Sequence, residues 1–176
     1  RLGIVYTPVF GGFSDKTLSD RIHNAGARLV ITADGGFRNA QVVAFKEAYT
    51  DPALDAYVPA EVALATVEQA LGALGLAPGV GAAILDGARA AVQGEITLER
   101  SDLMRGIGRA LEAVPGLAAA DASRIRTAIA SALVSTPPRV EAVIVVRHAA
   151  LPDLLWRPER DRWAHDLVDA ALLQLG

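Results

Sequence analysis

Three short runs of this chain are dominated by apolar residues: Ile4 to Phe10, Leu29-Val30-Ile31, and residues 141–146, Glu-Ala-Val-Ile-Val-Val. Near-continuous apolar runs of this kind form strands buried on both faces, and a helical stretch between the first two implies a parallel sheet. The third run comes late. A parallel crossover needs little more than one helix, yet about ninety residues separate Tyr49 from Val140, and a structureless loop of that length does not fit a compact domain. A folded insertion at about 58–138 is therefore expected. Composition changes at the same place, because no Phe, Tyr or Trp occurs from Val58 to Leu155 while the flanks hold all nine aromatics.

Local signals fill in this outline. Ser14-Asp15 supplies a cap and a first-turn acid for a helix from about Asp15 to Ala25, which Gly26 ends. A second helical stretch is expected between about Val42 and Tyr49, with Asp51-Pro52 breaking it. Inside the insertion, apolar residues recur at helical spacing: Leu64, Val67, Leu71, Leu74; then Ile84, Leu85, Ala88, Val92; then Leu103, Ile107, Leu111, Val114; then Ile125, Ile129, Leu133. These are four helices. Pro59 suits a helix start, Ser101-Asp102 and Asp121 suit N-caps, and Gly75 to Gly81, Gly94 and Pro115-Gly116 suit connections. Thr136-Pro137-Pro138 would end the insertion. No internal repeat is evident. The expected fold is α/β: a small three-stranded parallel sheet with flanking helices at 1–57 and 139–176, interrupted by an all-α insertion of about four helices. A sheet of only three strands leaves edges and a face exposed, so a homo-oligomer is an expectation too.

The 52% apolar and 21% charged residues describe a globular chain. A net charge of −3 offers no general attraction for nucleic acid or an anionic membrane. No apolar run approaches the ~20 residues of a bilayer span. Zero cysteines excludes disulfides and thiolate metal sites, and His23 and His148 lack the clustered partners of a metal site. The start at Arg1 suggests a fragment boundary.

Two glycine pairs follow apolar runs directly, in Val9-Phe10-Gly11-Gly12-Phe13-Ser14 and in Val30-Ile31-Thr32-Ala33-Asp34-Gly35-Gly36-Phe37-Arg38. Such turns, at the carboxyl ends of parallel strands, are where open α/β sheets bind ligands, and glycine lets backbone approach closely. By spacing alone the same glycines are more simply plain strand-to-helix turns. Together the two segments resemble the AMP-forming acyl-CoA synthetases, within them the acetyl-/propionyl-CoA synthetase branch, with its V-F-G-G-F-S turn followed by V-I-T-A-D-x-G-x-R. Val143-Ile144-Val145-Val146-Arg147 and then Trp156, Arg160-Asp161, Trp163 and His165-Asp166-Leu167 extend the resemblance in the same order.

The resemblance implies a part in holding the nucleotide of coenzyme A. By it, Phe10, Gly11 and Gly12 would flank the adenine, and Arg38, with Asn39, Ala40 and Gln41 beside it, would meet the nucleotide's phosphate or base. An arginine presents a planar, permanently charged fork to phosphate oxygens. Family members commonly carry a second basic residue three positions after that arginine. Here it is Gln41, which donates a hydrogen bond but brings no charge, so weaker nucleotide binding or a substitute arginine is expected. Asp34 could bind a ligand or hold its own turn, the turn role being the simpler. Trp163-Ala164-His165-Asp166 resembles the family's W-W-H-D with the second tryptophan lost. A helix from about Asp161 would put Trp163 and Leu167 on one packing face, with His165 and Asp166 pointing apart, so no catalytic residue is assigned. Arg100-Ser101-Asp102-Leu103-Met104 is superficially similar to an acyl-carrier serine site, but an N-cap serine accounts for it.

The Ser/Thr/Gly-rich phosphate loop and the adenylation lysine of the family are missing, and the only lysines are Lys16 and Lys46. The resemblance therefore implies a fragment of an ATP-dependent short-chain acyl-CoA synthetase, inactive alone. ATP with Mg and CoA would be substrates of the parent enzyme, with no cofactor tightly bound to the fragment. Its partners would be the remaining domains and a short-chain carboxylate, in the cytoplasm. An insertion this large is atypical of simple acetyl-CoA synthetases, and with it the chain resembles the synthetase portion of multifunctional propionyl-CoA synthase. The competing expectation is a non-catalytic scaffold or interaction domain that keeps the family-like flanks.

Overall fold

The computed structural model describes residues 4–77, 79–135 and 140–175. Along the chain these form α1 (Asp15–Asn24), β1 (Leu29–Ala33), β2 (Gly36–Arg38), β3 (Gln41–Val43), a π-helical turn (Lys46–Thr50) running into α2 (Asp51–Asp55), β4 (Tyr57–Pro59), α3 (Ala60–Gly72), α4 (Val80–Val92), β5 (Thr97–Glu99), α5 (Arg100–Ala113), α6 (Ala119–Val134), β6 (Ala142–Val146), β7 (Asp161–Trp163) and α7 (Ala164–Leu175). They divide into two compact units, Arg1–Asp55 with Pro138–Gly176, and Ala56–Pro137. The expected terminator Thr136-Pro137-Pro138 lies outside the described residues.

The first unit is α/β, and its three-stranded sheet is parallel, in the order β1-β6-β7. Leu29 pairs with Ala142 and Ala33 with Val146, while Val143 pairs with Asp161 and Val145 with Trp163. Side chains of paired positions share a face. One face carries Val143 and Val145, which are fully buried and pack with Leu54, Val140, Ile22, Val30, Leu154, Trp156 and Trp163. The opposite face carries Leu29, Ile31 and Val146, all exposed.

The sheet has the expected strand number and direction but a different third member. Ile4 to Phe10 is not a strand: no described strand lies beside it, and Ile4, Val5, Tyr6 and Phe10 are exposed. An apolar run becomes a strand only with a ladder partner. The third strand is instead Asp161-Arg162-Trp163, where a helix was expected; α7 begins only at Ala164. Helix 42–49 is also revised. Residues 36–43 form an antiparallel hairpin, and the helical run starts later and continues through Asp51-Pro52, since proline is tolerated in a first helical turn.

The second unit holds four helices around one core, with Val67, Ile84, Ala88, Leu103, Ile107, Ile125 and Ile129 fully buried. Pro59 caps the start of α3, whereas Glu99 and Ala118, rather than Ser101 and Asp121, occupy the N-cap positions of α5 and α6. A β-bridge pairs Tyr57 with Glu99, Val58 with Leu98 and Pro59 with Thr97. The structure also exposes a repeat that the sequence hides. Val58, Ala63, Val67 and Leu71 recur forty positions later as Leu98, Leu103, Ile107 and Leu111. After one extra residue in the loop, Ile84, Ala88 and Val92 recur as Ile125, Ile129 and Leu133. The unit is a strand-helix-helix module built twice, and the β4–β5 register is symmetric about Val58 and Leu98.

Candidate functional site

The two glycine turns, far apart in sequence, meet in the first unit. The turn at Phe10 closes with a hydrogen bond from the Phe13 amide to the Phe10 carbonyl (3.3 Å), and Ser14 Oγ accepts from the Thr17 amide to start α1. The ring of Phe45 lies between the backbones of both turns. A Cβ on Gly11 would sit 3.2 Å from that ring and one on Gly36 only 2.6 Å from it. A Cβ on Gly35 would lie 2.7 Å from the Val43 carbonyl oxygen. Glycine at 35 and 36 is thus needed by the protein's own packing. On Gly12, a Cβ would lie 3.6 Å from Arg38 Nη2, so the guanidinium sits beside the Gly11-Gly12 backbone.

Arg38 ends β2, directly opposite Gln41 on β3. Between them, Asn39 and Ala40 have φ of 49° and 61°, the left-handed conformation at both central positions that marks the common two-residue hairpin turn. Asparagine tolerates this region, but alanine does so at a cost of roughly 1 kcal/mol. Phe10, Gly11, Gly12, Arg38, Asn39, Ala40 and Gln41 are all exposed to solvent. Gly12 and Arg38 are brought together, Gln41 stands beside Arg38, and Asn39-Ala40 project at the hairpin tip. Phe45 had no sequence signal beyond being apolar.

Asp34 is the anchor of this region. Its Oδ1 accepts from the amides of Gly35 (2.7 Å), His148 (2.8 Å) and Ala149 (2.9 Å), and its Oδ2 from Leu151 (3.2 Å). Burial pushes its pKa upward, but the four backbone donors overcome this and lower it from 3.8 to about 2. The carboxylate therefore locks the carboxyl end of β1 to the segment that follows β6. That is the turn-holding role, extended to a second strand.

Beneath the sheet lies a buried ionic network. Lys46, fully buried, places Nζ 2.8 Å from Asp51 Oδ2, 2.8 Å from Asp161 Oδ2 and 2.7 Å from the Leu155 carbonyl oxygen. Arg160 reaches Asp51 at 2.6 Å, Asp55 at 3.1 Å and Asp161 at 3.2 Å, and Arg157 joins Asp55 at 2.7 Å. Burial pushes the Asp161 carboxyl up, and hydrogen bonds from Lys46, the Arg157 amide and Arg160 bring it below its ordinary value. Three carboxylates face three cations, so the charges cancel. Among the described residues no cluster of three or more metal-ligating side chains occurs.

Nearby, Trp156 and Trp163 stack at 4.8 Å, and Arg147 lies 4.9 Å above the Trp163 ring. His165 and Asp166 do not point apart: His165 Nε2 lies 3.1 Å from Asp166 Oδ1, at a half-exposed position. Ser101 Oγ donates to Glu99 Oε1 at 2.7 Å. No described helix is long and apolar enough to cross a membrane.

Gly35-Gly36 stands at the carboxyl end of β1 while Gly11-Gly12 follows no strand, and an arrangement of this kind defines no single activity by itself. Comparison with known proteins narrows the relationship. No family model matches the chain. A 46-residue segment, 26% of the chain, is 52% identical to 7% of the acetyl-coenzyme A synthetase of Gemmatimonas aurantiaca. A 55-residue segment, 31% of the chain, is 53% identical to 8% of the acetyl-coenzyme A synthetase of Methylobacillus flagellatus, and 48 residues are 52% identical to 7% of that of Campylobacter jejuni. The chain thus contains a segment of the AMP-forming acyl-CoA synthetase kind, and it spans under a tenth of the length of the curated relatives it matches.

Proposed function

We propose that this chain is part of an ATP-dependent, AMP-forming short-chain acyl-CoA synthetase, a ligase, and contributes one wall of its CoA nucleotide site. In that reaction the carboxylate attacks the α-phosphate of MgATP, giving acyl-adenylate and pyrophosphate. The CoA thiol then attacks the acyl carbon, and AMP leaves with the electron pair of the broken bond. The fragment carries neither the phosphate loop nor the adenylation lysine: Lys46 is fully committed to Asp51 and Asp161. Its part would be binding alone.

The observation that supports this reading is the approach of Arg38 to Gly12, beside Gly11, which packs on the Phe45 ring. It sets a flat backbone strip beside a bidentate cation on a solvent-facing surface. A purine lying on Gly11-Gly12 would leave its phosphates within reach of the guanidinium. Gln41, opposite Arg38, would add a hydrogen bond without charge. The helical unit would be an insertion that makes contacts elsewhere in the parent protein, in the manner of multifunctional propionyl-CoA synthase.

In the intact enzyme, Arg38→Ala should raise the KM for CoA by roughly tenfold while leaving those for ATP and carboxylate unchanged. An unchanged KM for CoA would refute the assignment. The reading as a non-catalytic scaffold would gain from an intact protein that binds no CoA at all.

A further inference from the structure

The duplicated module offers an internal comparison, because equivalent positions in its two halves show what each groove can accept. In the second half, Gly108 on α5 is buried beneath Arg126 of α6. A Cβ at Gly108 would lie 3.3 Å from Arg126 Nη2 and 3.9 Å from its Cζ. The guanidinium of Arg126, itself exposed, therefore lies over the α5 backbone at Gly108. The repeat maps Gly108 onto Glu68 of α3 and Arg126 onto Leu85 of α4.

In the first half Leu85, partly buried against the core, stands in place of the arginine. Glu68, Leu71, Gly72, Gly75, Leu76 and Leu85 line an open groove of about 380 Å³. Its floor is apolar, its rim is bare glycine backbone, and an exposed carboxylate stands at one side. Among the described residues Glu68 pairs with no cation. The unit as a whole carries eight carboxylates against six arginines and no lysine.

We propose that this groove docks a protein segment presenting an arginine between apolar side chains. The guanidinium takes the place that Arg126 takes in the other half, with Glu68 as its counter-ion. The arginine stem lies along Leu71 and Leu85, where an aliphatic chain covers apolar surface while its charged head stays at the rim. The glycines at 72 and 75 leave the mouth open to an incoming backbone, since a Cβ at either would meet nothing within 4 Å. In the second half the chain's own Arg126 already lies over the equivalent position, Gly108. This inference is independent of the ligase reading.

The test uses the full 176-residue chain, isotope-labelled and titrated with acetyl-Leu-Arg-Leu-amide, with the same peptide carrying norleucine in place of arginine as control. Amide shifts should move at positions 68, 72, 75 and 85 with the arginine peptide and not around 108 and 126. Glu68→Gln, a surface change that alters no packing, should weaken binding about fivefold, the effect of one partly exposed charge pair. Leu85→Arg should abolish binding by supplying the groove's cation from within. Equal binding of the norleucine peptide, shifts centred on 108 and 126, or no shifts with either peptide would each overturn the proposal.

Discussion

Replacing Asp34 by asparagine removes the charge from a carboxylate that four backbone amides converge on. The folded pKa of about 2 lies below the ordinary 3.8, and a depression of that size corresponds to roughly 2 kcal/mol of stability at neutral pH. Because the folded value is the lower one, this stability is fully present above about pH 5. It is lost as pH falls through the window between 3.8 and 2. Asparagine also turns an NH2 group toward amide donors, so the total loss at pH 7 should be roughly 2–3 kcal/mol. Trp156 and Trp163, the chain's two tryptophans, are stacked in the unit that holds Asp34, so urea unfolding followed by tryptophan fluorescence reads that unit. The midpoint should drop by on the order of 1 M urea at pH 7, and the gap between the two proteins should narrow steadily from pH 5 to pH 3. Equal midpoints at pH 7, or a gap that does not change with acid, would refute the account of Asp34 as a charge held by backbone donors.

Ala40→Gly relieves a left-handed alanine in the hairpin turn and should stabilise the first unit by about 0.5–1 kcal/mol in the same fluorescence assay. Lys46→Met leaves Asp51 and Asp161 buried without their shared cation and should cost about 3–5 kcal/mol. The double variant Lys46→Met, Asp51→Leu should recover part of that loss, and failure to recover any would argue against direct coupling.

What could be read from the chain was whatever rests on local periodicity. The strands at Leu29 and Ala142, the Ser14 cap and the four helical stripes depend on neighbours within a few residues. Ile4 to Phe10 misled because an apolar run reveals a wish for burial, not the presence of a ladder partner. Asp161-Arg162-Trp163 is the reverse case: it has no apolar run and is a strand only because β6 lies beside it. The hairpin at 36–43 was hidden because its turn is Asn-Ala, not Asn-Gly. The ionic network joins Lys46 to Asp51 five positions on and to Asp161 more than a hundred positions on, and only the first of these is local. The duplication escaped notice because its core positions keep their burial and not their size, with Ala63 answering to Leu103 and Ala88 to Ile129. Of the candidate site, Gly12 and Arg38 were legible through resemblance, whereas Phe45 became visible only when both turns were seen packed on it.

The ionic network also sets an order of events on the ribosome. Lys46 and Asp51 leave the exit tunnel long before Arg157, Arg160 and Asp161, the groups that neutralise or complete them. At a synthesis rate of about 5–20 residues per second, that interval is on the order of ten seconds. Throughout it, the first fifty-five residues lack both β6 and the ions that would let them bury Lys46. The core of the helical unit, by contrast, is encoded without interruption between Val58 and Leu133 and is complete while the α/β unit still waits for its second half. Until then β1 has no ladder partner and Lys46 lacks Asp161, so this stretch stays open for longer than the helical unit does.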